Sequence, residues 1–129
     1  MTIGYWKTHA GFTGKNADRV TPLLPISLGT LDVTDAGIAV DVLTMKTYGH
    51  PSNGITKLYA QLLGAKLNIA DGADGSAVAS TIADADAFLA TYDWEDWDSL
   101  SKAEKKAVLR WMTTLDNYNN GYIGPGHCQ

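Results

Sequence analysis

Between residues 55 and 67 the chain reads ITKLYAQLLGAKL, with Ile55, Leu58, Tyr59, Leu62, Leu63 and Leu67 recurring at helical spacings of three and four. An α-helix turns once in 3.6 residues, so this spacing draws one continuous apolar stripe that other elements must cover. Asn53 is placed to cap the start of this helix. Gly64 sits within it at a cost of up to about 1 kcal/mol relative to alanine, which predicts that another backbone packs close at that point.

Three more segments carry the same period. Thr34 and Asp35 precede Ile38, Ala39, Val42, Leu43 and Met45, predicting a helix that ends near Lys46, before the loop YGHPSNG. After the chain-breaking DGADG run, Ser76 can cap a helix with Val78, Ile82, Ala85 and Leu89 inward and Ser80, Asp84 and Thr91 outward. Ser101 and Glu104 form the S-x-x-E capping signature ahead of Val108, Trp111, Met112, Leu115 and Tyr118, and Asn120-Gly121 suits a left-handed stop. In PISLGTLDVT, Ile26 and Leu28 alternate, as do Leu31 and Val33, on either side of Gly29-Thr30: two short strands joined by a tight turn. Residues 10–24, punctuated by Gly11, Gly14, Asn16 and Pro22, show no period and are read as a wandering segment with one helical turn around Ala17 to Val20. The fold class is therefore mainly α: about four amphipathic helices packed as an irregular bundle, with one short β-hairpin near residues 26–33. No fixed repeat points to a solenoid.

A chain of 129 residues fits a single domain spanning 1–129 with one core. The formal net charge of −4 opposes binding to phosphate backbones, and the one basic cluster, Lys102, Lys105, Lys106 and Arg110, falls on a single predicted helix as a solvated face. No run approaches the roughly eighteen apolar residues of a membrane span, and MTIGYWK lacks the basic and apolar regions of an export signal. Neither nucleic acid nor membrane insertion is expected, and a monomer is.

The termini are richer in chemistry than chain ends usually are. Tyr5, Trp6, Lys7 and His9 stand at one end and Pro125, His127 and Cys128 at the other, an expenditure that predicts both ends docked as a structural clasp. Cys128 has no partner in the chain, so it is either a free thiol or one that has lost its partner. With His9, His50 and His127 it offers donors of the kind zinc accepts, and His9 and His127 are the metal candidates, although no pair has the short spacing that sets two ligands on one turn. Calcium has two candidate loops. DNYNNGYIGPGH puts Asp116 first and Gly121 sixth, as an EF-hand-like loop requires, but Tyr118 third and His127 twelfth, while DGADG supplies two carboxylates on a turn. The third candidate is the acidic aromatic loop 92–98. There Trp94 and Trp97 interleave with Asp93, Glu95, Asp96 and Asp98, and exposed indoles beside hydrogen-bonding carboxylates could form a platform on which a sugar ring stacks; the same acids also suit a helix N-terminus, and the indoles a core. No nucleophile elbow, phosphate loop, zinc-protease or dinucleotide signature occurs.

GYWKTH at 4–9, AKLNIADGA at 65–73, IADADAFL at 82–89 and LDNYNNGYIGPGHC at 115–128 together resemble a family of small domains from secreted and surface proteins of bacteria, which begin with GYWKxH, end in GPxHC and have no established activity. The likeness runs nearly end to end and is thinnest over residues 10–50. It implies a non-catalytic structural or binding module, secreted or at the cell surface, whose partners are the rest of a parent polypeptide or a surface glycan or protein. A cysteine commonly precedes GYWK in that family, which implies a disulfide to the position of Cys128; here Met1, Thr2 and Ile3 stand there, as in a domain excised from a longer exported protein. Two alternatives stay open: a carbohydrate- or calcium-binding module using loop 92–98, and a small metal-dependent enzyme around His9 and His127.

Overall fold

Asn53 accepts hydrogen bonds from the N–H groups of Ile55 (2.9 Å) and Thr56 (3.1 Å), while Thr56 Oγ1 accepts from the Asn53 N–H at 2.9 Å. This reciprocal cap satisfies donors that the first helical turn would leave orphaned. The helix it starts, Gly54–Ala70, is the central element of the computed structural model, which describes residues 1–12, 16–45 and 53–123. In chain order the helices are α1 (Ile3–Thr8), α2 (Ala36–Leu43), α3 (Gly54–Ala70), α4 (Ala79–Leu89) and α5 (Lys102–Asn119), with strands β1 (Ile26–Leu28) and β2 (Leu31–Val33) between α1 and α2. Helix α3 touches all four other helices and β1, and its longest contact is with α5. The stripe Ile55, Leu58, Tyr59, Leu62, Leu63 and Leu67 is buried as the spacing requires, giving the irregular bundle its core.

Helix α1 is one more helix than the periodicity predicts. Six residues hold fewer than two turns, too few for an apolar repeat, and the cap is Thr2, whose Oγ1 accepts from the Tyr5 N–H at 3.3 Å. Helix α2 starts at Asp35, which accepts from the Ile38 N–H at 2.8 Å, and stops at Leu43 instead of near Lys46, because Met45 turns into the left-handed region at φ 61°. Asp74, not Ser76, caps the turn ahead of α4: its Oδ1 accepts from the Ser76 N–H at 2.9 Å, and residues 76–78 form a 3-10 turn before the α-helix begins. In the wandering segment the helical turn falls at Thr21–Leu23 rather than Ala17 to Val20, since Asp18 Oδ1 gathers the Val20 and Thr21 N–H groups. Helix α5 has the expected box, with Ser101 N–H to Glu104 Oε1 at 2.8 Å and Glu104 N–H to Ser101 Oγ at 3.1 Å. It ends as expected too. Gly121, at φ 80°, donates to the Tyr118 carbonyl, and Tyr122 donates to that of Asn117.

The hairpin pairs Ile26 with Val33, Ser27 with Asp32 and Leu28 with Leu31, burying Leu28 and Val33. Its turn is pinned from outside. Asp86 Oδ1 accepts the Gly29 N–H at 3.1 Å, and Lys66 Nζ bridges Asp86 (2.7 Å) and the Ser27 carbonyl (2.6 Å). Gly29 has φ 64°, and a Cβ there would fall 2.4 Å from the Leu89 carbonyl carbon, which is backbone and cannot swing away. Gly29→Ala is therefore expected to lower the unfolding free energy by about 2–4 kcal/mol, with Thr30→Ala, on the exposed half of the turn, within about 0.5 kcal/mol of the parent in urea denaturation. Equal midpoints for the two variants would show that the turn is not pressed against α4.

Candidate functional site

Trp6, on α1, is fully buried. Its Nε1–H donates to Asn68 Oδ1 at 3.1 Å, and the Met1 nitrogen donates to the same oxygen at 2.9 Å. Asn68 Nδ2 donates in turn to the Met1 carbonyl (2.7 Å) and to Asn119 Oδ1 (3.0 Å); Asn119 Nδ2 donates to the Gln61 carbonyl (3.0 Å) and to Gln61 Oε1 (2.9 Å). A chain of buried amides thus links the leading residues to α3 and α5. Among the described residues no buried side-chain nitrogen or oxygen lacks a partner, so this polar interior carries no uncompensated desolvation. Gly64 makes room for it: a Cβ there would lie 3.0 Å from Asn119 Nδ2 and 3.0 Å from Ile3 Cγ2. The glycine admits two side chains, not the neighbouring backbone that its presence in the helix predicts.

The remaining leading residues close over the outside. Tyr5 meets Trp6 edge to face (5.0 Å between centroids) and stacks on His9 (3.9 Å, 19° between planes). Its hydroxyl accepts from Arg19 Nη1 at 3.0 Å, and Arg19 pairs with Asp71 at 3.2 Å. His9 Nδ1 donates to the Tyr5 carbonyl at 2.7 Å, and Lys7 stands in the last turn of α1, where the helix dipole favours a cation. Of the clasp residues, Pro125, His127 and Cys128 lie outside the described residues, as do His50 and so the rest of the zinc donor set. Among the described residues no group of three or more His, Cys, Asp or Glu side chains is placed to hold a metal ion.

The acidic tryptophan loop forms a 3-10 turn, Trp94–Ser99. Asp93 Oδ1 accepts the Glu95 N–H at 2.8 Å and Asp96 Oδ2 accepts the Asp93 N–H at 2.9 Å, so two of its carboxylates cap the turn reciprocally, while Glu95 and Asp98 are exposed. Both indoles are half-buried against the core. Trp97 lies across the start of α3, where a Cβ on Gly54 would fall 2.4–3.0 Å from its ring carbons, and Lys105 Nζ stands 5.3 Å from its ring. Asn53 Nδ2 donates to the Trp94 carbonyl at 2.9 Å, tying the loop to the α3 cap. Burial, and then the neighbouring Asp93 carboxylate, push the Tyr59 phenol above its ordinary range, so it stays protonated behind this loop.

The carboxylates of the other two calcium candidates also have partners, and the loop that Asp116 opens runs on past Ile123, outside the described residues. In DGADG, Asp71 holds Arg19 and Asp74 caps the following turn, while Asp116 Oδ1 accepts from Asn120 Nδ2 at 2.9 Å. On α5, Lys102, Lys106 and Arg110 are exposed. No helix among the described residues is long and apolar enough to cross a membrane. Gln61, Asn68 and Asn119 were not singled out by the spacing of apolar residues, although Gln61 and Asn68, seven apart, share a face of α3. No family profile, curated protein or solved structure matches the chain.

Proposed function

We propose that this domain is a non-catalytic structural or binding module of a bacterial exported or surface polypeptide. The observation that carries the reading is the buried Gln61–Asn119–Asn68–Trp6 chain, which fastens the GYWK segment to the helical body. Asn68 lies in AKLNIADGA and Asn119 in LDNYNNGY, two of the stretches that resemble the bacterial surface family, so the motifs and the fastening coincide. The reactive side chains are spent alongside it: His9 on the Tyr5 carbonyl, Asp93 and Asp96 on their own turn, and Asp71 on Arg19. A rigid body with a secured leading segment suits a spacer or docking unit within a longer chain.

Thermal unfolding of the full chain, titrated separately with calcium, zinc and soluble oligosaccharides, tests this. A ligand at about a hundred times its Kd adds about 2.7 kcal/mol to a folded state that alone binds it, a shift of several degrees in a domain of this size. The expected outcome is a melting temperature unchanged by all three. A saturable rise with oligosaccharide or calcium, abolished by Glu95→Gln with Asp98→Asn, would replace this reading with a ligand module on loop 92–98. A rise with zinc abolished by His9→Ala would replace it with a metal site at the clasp.

A further inference from the structure

The chain contains two Asn-Gly dipeptides, Asn53-Gly54 and Asn120-Gly121. In this pairing the glycine nitrogen, unhindered by a side chain, can attack the asparagine Cγ. The new N–C bond closes a succinimide, the side-chain amide leaves as ammonia, and water opens the ring to aspartate or isoaspartate. As bare sequence the two sites are equivalent. The fold makes them unequal.

At Asn53 both ends of the side-chain amide are held, Oδ1 by the Ile55 and Thr56 N–H groups and Nδ2 by the Trp94 carbonyl, while its own N–H is held by Thr56 Oγ1. Gly54, the attacking residue, is buried under Trp97. Bringing Gly54 N onto Cγ would require the α3 cap, the loop and the indole to part together. At Asn120 the backbone N–H is held as well, by the Asp116 carbonyl at 2.9 Å, but the grip on the side-chain amide is one-sided. Nδ2 donates to the carbonyl and to Oδ1 of Asp116, each at 2.9 Å, and among the described residues the amide oxygen takes no hydrogen bond. Among the described residues the Gly121 N–H makes a single bond, to the Tyr118 carbonyl, just past the end of α5 and next to a Tyr122 that is 76% exposed. Helix ends of this kind open locally at a small fraction of the global unfolding free energy.

We propose that Asn120 is a site of spontaneous deamidation, which the fold leaves open while it closes the chemically equivalent Asn53. The product is not neutral for the structure. A carboxylate replaces an NH₂ group that faced two oxygens of Asp116, and it adds negative charge at the carbonyl end of α5, where the helix dipole already disfavours it. Asn119, the neighbouring residue, belongs to the amide chain beneath Trp6, so the modification loosens the support of the clasp.

The full chain, incubated in mildly alkaline buffer and then cleaved with trypsin, reports the two sites on separate peptides, cut after Lys46, Lys57 and Arg110. Conversion is read as a mass gain of about 1 Da with an isoaspartate form. In the folded protein the Asn120 peptide is expected to convert at least about tenfold faster than the Asn53 peptide, and in concentrated urea the two rates should lie within about threefold. Comparable rates in the folded protein would overturn the proposal. So would an intact Asn120 over a period in which the urea-denatured chain is half converted. Thr56→Val, which removes the hydroxyl that holds the Asn53 N–H, should raise the Asn53 rate and leave that of Asn120 unchanged; no change at Asn53 would remove the cap as the cause of protection.

Discussion

Trp6→Ala is expected to cost about 3–5 kcal/mol of unfolding free energy, the range for deleting a large aromatic side chain from a fully packed site. Against the roughly 5–15 kcal/mol available to a typical domain, that is a loss of between a fifth and the whole of the total. Trp6→Phe separates the two contributions of the indole. It keeps most of the volume and removes the Nε1–H donor to Asn68 Oδ1, which still accepts from the Met1 nitrogen, so about 1–3 kcal/mol is expected. Urea midpoints followed by far-ultraviolet circular dichroism measure both. A Trp6→Ala loss below about 1 kcal/mol would mean that α1 lies on the surface of the fold and is not part of its core.

Asn68→Leu should rank second, at about 2–5 kcal/mol, for a different reason. The side-chain volume is roughly conserved, but the Trp6 Nε1–H and Asn119 Oδ1 lose their partner inside the protein. Leaving buried groups unsatisfied costs more than the bond itself contributes. The diagnostic comparison is a double-mutant cycle with Asn119→Leu, for which a coupling above about 0.5 kcal/mol is expected; strict additivity would show that the two amides act independently. Replacing Gln61, Asn68 and Asn119 together by leucine should cost less than the sum of the single changes, because the amide groups are removed together with the groups that paired with them, and the Trp6 Nε1–H is left without its acceptor once, as in the single Asn68 change.

What could be read from the sequence is what a period or a cap records. The α3 stripe, the Ser101–Glu104 box and the Gly121 stop are each local, and each is found where the residues place it. So is the hairpin, because the alternation of Ile26 with Leu28 and of Leu31 with Val33 leaves one register that buries one face. Helix α1 escaped because a six-residue helix is too short to show a repeat, and its formation depends on the socket that Trp6 enters. The amide chain escaped for a related reason: an asparagine in a helix reads as a surface residue, and only tertiary packing brings position 119 to position 68. Gly64 announced a close approach without saying of what, and the visitors are side chains. In loop 92–98 the acidic residues were visible, but their use as reciprocal caps, D-x-x-D across Asp93 and Asp96, depends on a turn that spacing alone does not specify.

The amide chain joins three stretches remote in sequence, and it has a mechanical consequence. Peeling away the leading residues would strand the Asn68 carboxamide in a greasy interior and draw solvent in after it, so the first step of detachment is already the opening of the middle. Backbone hydrogens of the first helix should therefore exchange with deuterium at the pace of the whole body, unlike those of an ordinary loose end.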